Sequence, residues 1–256
     1  MKILAIGDLV GECGVKKTKE LINKIKQENN IDFIIANAEN SADGMGITEK
    51  IFKELLSMGI NVVTMGNHTW GKKDIFKFID HKQLLVPANY SKGVPGNRYG
   101  IYECNGKKIA VINLIGRAQL NVLSDNPFTT VENIISKIKD KVDIIIIDFH
   151  AEATAEKIAM GYFLDGKVTA VFGTHTHVQT ADEKILEGGT GYITDIGMTG
   201  PKKSVIGMSL EASIKRFLTS LPERYKIAEG EAIFNGCIFE IDDEKCRTTK
   251  ITRINL

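Results

Sequence analysis

The sequence predicts a single α/β domain of mixed β-structure with flanking helices, and three observations predict it. Short apolar runs alternate with amphipathic helical patterns through the first 175 residues. The last quarter changes to paired apolar runs punctuated by turn residues. No linker, repeat or low-complexity segment divides residues 1–256, so one domain is expected.

The elements follow in order. KILAIG (2–7) reads as the first strand. GVKKTKELINKIKQENN (14–30) puts Leu21, Ile22 and Ile25 on one side of a helix. DFIIANA (32–38) is the second strand. TEKIFKELLSMG (48–59) is a helix that opens on Thr48 as N-cap and stops at Gly59. INVVTMG (60–66) is a third strand and KKDIFKFID (72–80) a third helix. Residues 84–100, with Pro87, Pro95, Gly93, Gly96 and Gly100, read as a loop. GIYECNGKKIAVINLIG (100–116) reads as a hairpin turning at Asn105-Gly106. A helix around 128–140, the strand VDIIIIDF (142–149), a helix near 152–163 and the strand VTAVFG (168–173) follow. A second hairpin is expected over 183–197 at Gly188-Gly189, then a helix over 209–220 and two antiparallel strands over 231–255 around Asp242-Asp243.

Composition narrows the function classes. The net charge is +1, from 33 basic and 32 acidic residues, and no Lys/Arg stripe forms, so duplex nucleic acid is not an expected partner. No apolar run approaches the ~20 residues of a membrane span, so no membrane partner is expected. The apolar start is broken by Asp8 and reads as a strand rather than a signal peptide. Cys13, Cys104, Cys237 and Cys246 are scattered, without a CxxC pair, and a cytoplasmic location is expected.

In open α/β sheets ligands sit beyond the carboxyl ends of strands, and five strand ends here carry ligand types. After KILAIG comes Asp8; after DFIIANA come Glu39 and Asn40; after NVVTMG come Asn67 and His68. After DIIIIDF comes His150, and after VTAVFGT come His175 and His177. Taken singly, each has an ordinary explanation: a turn or cap for Asp8 and Asn67, a solvated loop for Glu39 and His68, a satisfied core histidine for His150. Taken together, those explanations would have to coincide at successive strand ends. Extended backbone would send His175 and His177 to one face. The mixed nitrogen and oxygen donors exceed the needs of one catalytic ion and suit two, ~3.5–4 Å apart.

The blocks GD, GNH, a later isolated His and G-x-H-x-H resemble the calcineurin-like metallophosphoesterases over residues 7–177. Val10 stands where that family's first block has histidine, and AEN with Glu39 stands where it has a bridging aspartate. GDLVGECG, NAENSADGMGIT, MGNHTW, DFHAEATAEK, GTHTHVQTAD and TDIGMTGP are similar to a narrower group, the YmdB-type bacterial metallophosphoesterases. The resemblance implies a four-layer αββα fold, a central β-sandwich of mixed sheets flanked by helices. It implies two metal ions and phosphodiesterase activity that includes 2′,3′-cyclic nucleotides. It places one metal on Asp8, Glu39, Asn40 and His177, and the other on Glu39, Asn67, His150 and His175. His68 would stand beside the pair as the catalytic residue, without binding metal.

The chemistry agrees with that donor set. Two divalent cations offset phosphate charge and yield hydroxide near neutral pH, which would attack phosphorus in line with the departing oxygen. Glu39 suits the bridge because a carboxylate has two oxygens to share. Iron and manganese both fit these donors, and zinc and magnesium are compatible. Asp148, Asp43 and Asp182 are open candidates for orienting the histidines, Arg117, Lys202 and Lys203 for meeting phosphate, and loops 84–100 and 117–127 for shaping the pocket. Three readings follow: a phosphodiesterase, a phosphomonoesterase, or a metal-binding regulatory protein of the same fold acting through partners. A homo-oligomer is expected.

Overall fold

A computed structural model of the chain describes residues 1–224 and 226–256. Its strands are β1 (Lys2–Ile6), β2 (Asp8–Leu9), β3 (Phe33–Asn37), β4 (Val62–Thr64), β5 (Leu84–Leu85), β6 (Tyr99–Cys104), β7 (Lys107–Ile115) and β8 (Ile144–His150). They continue with β9 (Ala170–Thr174), β10 (Lys184–Ile185), β11 (Gly191–Ile193), β12 (Met198–Pro201), β13 (Ala232–Ile233), β14 (Asn235–Ile241) and β15 (Thr248–Asn255). The helices are α1 (Gly11–Asn29), α2 (Glu49–Ser57), α3 (Pro127–Ile138), α4 (Thr154–Leu164) and α5 (Leu210–Thr219).

Apolar runs buried on both faces decide the layering. In β1, Ile3 and Ala5 face the middle of the molecule, while Leu4 and Ile6 pack with Val15, Ile22 and Ile25 of α1 and Phe52 and Leu55 of α2. In β8, Ile144 and Ile146 face the middle, while Ile145 and Ile147 pack with Val131 of α3 and Met160 of α4. A strand covered on both sides cannot alternate apolar with polar, so it reads as one continuous apolar run. The result is the four-layer αββα arrangement that the resemblance implies. One six-stranded sheet runs β15-β14-β1-β3-β4-β5 and the other β10-β11-β9-β8-β7-β6. Both are mixed: β1, β3, β4 and β5 are parallel neighbours, β7, β8 and β9 are another parallel set, and antiparallel pairs form the β15, β6 and β10 edges while β5 ends the first sheet in parallel.

Local chemistry sets most element boundaries. The Thr48 hydroxyl caps α2 by accepting from the Ile51 N–H. Asn105 and Gly106 both take positive φ, 49° and 75°, as a two-residue hairpin turn requires. Two expectations need correction. The helix expected over 72–80 is a 3₁₀ turn, Lys73–Lys77, because Ile75 and Phe78 are both buried and their spacing of three matches that tighter repeat. The loop expected over 84–100 begins with β5, whose Leu84 faces the helices and Leu85 the middle of the sandwich. A small sheet, β13-β12-β2, left no sequence signal because its strands are two to four residues long.

Gly173 in β9 shows how closely the site end is packed. A Cβ there would collide with the Thr194 carbonyl oxygen and press on Lys157. Gly173→Ala is expected to cost about 2–3 kcal/mol, a fall in melting temperature of roughly 4–12 °C. A thermal melt checks it; an unchanged midpoint would mean that the backbone yields there.

Candidate metal centre

The parallel strands of both sheets end at one edge, and that edge gathers the expected residues. Asp8 follows β1, Glu39 and Asn40 follow β3, and Asn67 and His68 follow β4. His150 closes β8 on the facing sheet, and His175 and His177 follow β9. Asp8, Glu39, Asn40 and His150 are buried, and the His68 side chain is one-third exposed.

Four donors converge on one point. His150 Nε2 lies 3.0 Å from Glu39 Oε1, 2.9 Å from Asn67 Oδ1 and 3.0 Å from His175 Nδ1. The other His150 nitrogen is committed: Nδ1 sits 2.9 Å from the Thr174 hydroxyl, which donates to Asp148 Oδ1 at 2.8 Å. That chain puts the imidazole proton on Nδ1 and leaves Nε2 free to ligate. Asp148 is therefore the histidine-orienting carboxylate among the three considered. Asp43 instead pairs with Lys72, and Asp182 accepts from Thr180 and Thr194.

The second donor group is looser. His177 Nε2 lies 3.1 Å from Asn40 Nδ2, and His177 Nδ1 donates to the Ile206 carbonyl at 2.8 Å. Asp8 Oδ2 accepts from the His175 N–H at 3.0 Å, while its buried Oδ1 has no hydrogen-bond partner among the described residues. A buried carboxylate oxygen without a donor is costly unless a cation meets it. The Asn40 amide turns its oxygen to His68 Nδ1 at 2.7 Å and its nitrogen to His177 and Glu39. To ligate, that amide must turn half a circle, which would aim its N–H at His68 Nδ1.

The donor chemistry fits divalent metal. Glu39, His150 and His175 offer atoms within 4.8 Å of one another. Gly66 keeps the space open: a Cβ there would strike the His150 ring and come within 2.5 Å of Glu39 Oε2. Burial pushes the Glu39 carboxyl up, but His150 and His68 beside it hold it well below the usual range. Burial opposes charge on His150, yet Glu39, Asp8 and Asp148 raise its pKa to about 9. A metal taken up here must replace that proton, so binding releases protons to solvent. Burial and the neighbouring His150 push His175 down to about 3, which keeps it neutral and ready to ligate.

Some expectations change. β9 stops at Thr174, and His175 and His177 take φ of 99° and 65°, so they are not neighbours on an extended strand. A turn with positive φ at both histidines brings them into the site instead. Residues of loops 84–100 and 117–127 line a different cavity, with Tyr90, Lys92, Arg98 and Asp125. The candidate site is a cavity of about 220 Å³ whose rim is Glu152, Ile206 and Met208, and Arg117, Lys202 and Lys203 are not among its walls. Glu152 was missed: its carboxylate holds His175 Nε2 at 3.0 Å, leaving Nδ1 to face the centre. It sits inside the DFHAEATAEK block, two residues after His150, which was the available signal.

Comparison with known proteins adds to this geometry. Residues 4–254 match the family model described as YmdB-like protein. A 2′,3′-cyclic-nucleotide 2′-phosphodiesterase from Bacillus subtilis (strain 168) is 50% identical over 255 residues, covering 99% of this chain and 96% of that protein. A crystal structure described as a novel phosphatase from Mycoplasma pneumoniae superposes with a TM-score of 0.95 at 37% identity, covering 100% of this chain and 93% of the other. A hypothetical protein from Thermus thermophilus superposes with a TM-score of 0.94 at 34% identity, covering 100% of this chain and 99% of the other.

Proposed function

The chain belongs to the YmdB-like family of metallophosphoesterases, and from that premise we propose that it is a metal-dependent phosphodiesterase acting on phosphate diesters, 2′,3′-cyclic nucleotides among them. One observation supports the reading most directly: Glu39 Oε1, Asn67 Oδ1 and His175 Nδ1 all meet His150 Nε2 at hydrogen-bond distances, and a single proton on that nitrogen cannot serve all three acceptors. Donors arranged so are explained by a cation between them.

Glu39, Asn67, His150 and His175 would hold one ion, and Asp8, Glu39, Asn40 and His177 a second, with iron or manganese the proposed metals. When bound, two such ions supply neutralisation of phosphate charge and a nucleophilic hydroxide at neutral pH. The chain's own residues do the rest. Glu39 touches both donor groups through Oε1, 3.0 Å from His150 Nε2 and 3.3 Å from Asn40 Nδ2, while Oε2 accepts the His68 N–H at 2.8 Å. Thr174 with Asp148, the Ile206 carbonyl and Glu152 fix which nitrogen each ligating histidine presents. His68 lines the cavity without joining the convergent donors, so its Nε2, when the ring is in the imidazolium form, can give a proton to the departing sugar oxygen and leave a neutral imidazole. Ile206 and Met208 offer apolar surface at the rim for the rest of the substrate.

The cysteines form no disulfide, which fits the proposed cytoplasmic location. Among the described residues no helix is long and apolar enough to cross a membrane.

Freshly purified chain is expected to carry about two transition ions, by elemental analysis, and to hydrolyse 2′,3′-cyclic AMP and bis-p-nitrophenyl phosphate. Stripping with a chelator should abolish both activities, and manganese or iron should restore them. Undiminished turnover by the stripped chain would overturn the reading, and turnover of p-nitrophenyl phosphate alone would favour a phosphomonoesterase.

A further inference from the structure

Lys157 and Asp195 form a fully buried ion pair that the functional reading leaves unused. Lys157 lies on α4 and Asp195 follows β11, with Nζ and Oδ2 2.7 Å apart. A buried pair is a poor source of stability, because desolvating both charges offsets their attraction and apolar replacements often do as well. Its retention calls for another reason, and the remaining bonds of Asp195 supply one.

Asp195 Oδ2 also accepts from the backbone N–H of Thr176 at 3.1 Å and from its hydroxyl at 2.8 Å. Thr176 is the residue between His175 and His177, both of which hold positive φ. Non-glycine residues keep such conformations when the surroundings over-determine them. Asp195 Oδ1 accepts from the Gly197 N–H at 2.8 Å, and the Gly197 carbonyl accepts from the Asp8 N–H at 3.0 Å. One carboxylate thus grips the turn that carries two ligand histidines and, through one residue, the strand end that carries Asp8. Neither Lys157 nor Asp195 lines the candidate cavity.

We propose that Lys157 and Asp195 are positioning residues of the metal centre. Asp195 clamps Thr176 so that His175 and His177 stay aimed inward, and Lys157 holds the Asp195 carboxylate where both its oxygens accept. Both oxygens are in use, so an amide, with a single acceptor oxygen, leaves either Thr176 or Gly197 unanswered. The proposal rests on the metal-centre reading given above.

Metal-free chains of the wild type, Asp195→Asn, Lys157→Met, Thr176→Val and Thr176→Ser would be titrated with Mn²⁺ alone. Each would first be verified as folded by circular dichroism below its melting onset. Asp195→Asn, Lys157→Met and Thr176→Val are expected to weaken Mn²⁺ binding on the order of 10–100-fold. Thr176→Ser, which keeps the hydroxyl, should recover most of that loss. Should Asp195→Asn or Lys157→Met fail to fold, the valine and serine pair carries the test, because it leaves the ion pair intact. A merely structural pair would lower the melting temperature of the metal-free variants and leave Mn²⁺ affinity within about twofold of wild type; that result overturns the clamp. Wild-type chain that takes up neither Mn²⁺ nor, titrated in the same way without oxygen, Fe²⁺ overturns the metal-centre reading, and the clamp falls with it.

Discussion

Glu39→Gln is expected to abolish turnover and to lower metal content. Glu39 is fully buried and its two oxygens face different partners, Oε1 toward His150 Nε2 at 3.0 Å and Oε2 toward the His68 N–H at 2.8 Å. Glutamine keeps the size but removes the charge and one acceptor, so its amide nitrogen must face either an N–H donor or the convergent donor cluster. Removing one partner of a buried charge interaction costs about 3–5 kcal/mol, equivalent to roughly 10²–10⁴-fold in affinity. Elemental analysis and kcat/KM on 2′,3′-cyclic AMP, measured on the same preparation, check this. A glutamine variant with full metal and full activity would remove Glu39 from the centre.

His68→Ala is expected to separate chemistry from metal binding. Its backbone N–H, not its side chain, holds Glu39 Oε2, so alanine leaves that bond in place. Both ions should remain, while kcat on 2′,3′-cyclic AMP falls about 10²–10⁴-fold, the usual worth of general acid assistance. Bis-p-nitrophenyl phosphate should lose much less, because p-nitrophenolate departs without a proton. Equal losses on both substrates would argue against proton donation, and loss of metal would make His68 a ligand.

The layered fold and the candidate donor residues were legible in the sequence for one reason. Parallel strands buried on both faces read as uninterrupted apolar runs, so Asp8, Glu39, Asn67 and His150 stand out where those runs stop. What stayed hidden depends on partners distant in the chain. The backbone around His175 and His177 follows from the hold of Asp195 on Thr176, 19 residues away, and no local periodicity encodes that. Glu152 and Ile206 acquire roles only when β9 and the following loop bring His175 and His177 beside them. Lys157 carries no local sign of its role, which appears only when Asp195 is placed 2.7 Å from its Nζ. The 3₁₀ turn at Lys73–Lys77 was misread because a spacing of three serves both kinds of helix.

The placement of β1 has a consequence for biosynthesis. It lies between β3 and β14, paired with β14 from Lys2↔Glu240 to Ile6↔Gly236. Its neighbours beyond Ile6 are distant in sequence too: Gly7 bonds Asn235, and Asp8 bonds Gly197. On a ribosome adding about 5–20 residues per second, Asp8 emerges roughly 10–50 s before the strand that completes its sheet. During that interval the nascent chain can pair β1 with β3 and β3 with β4 but cannot finish the sheet. The candidate centre therefore matures late, only after β14 has emerged, and a cation held there would be captured by a chain already folded through that strand rather than serve as a seed around which the chain folds.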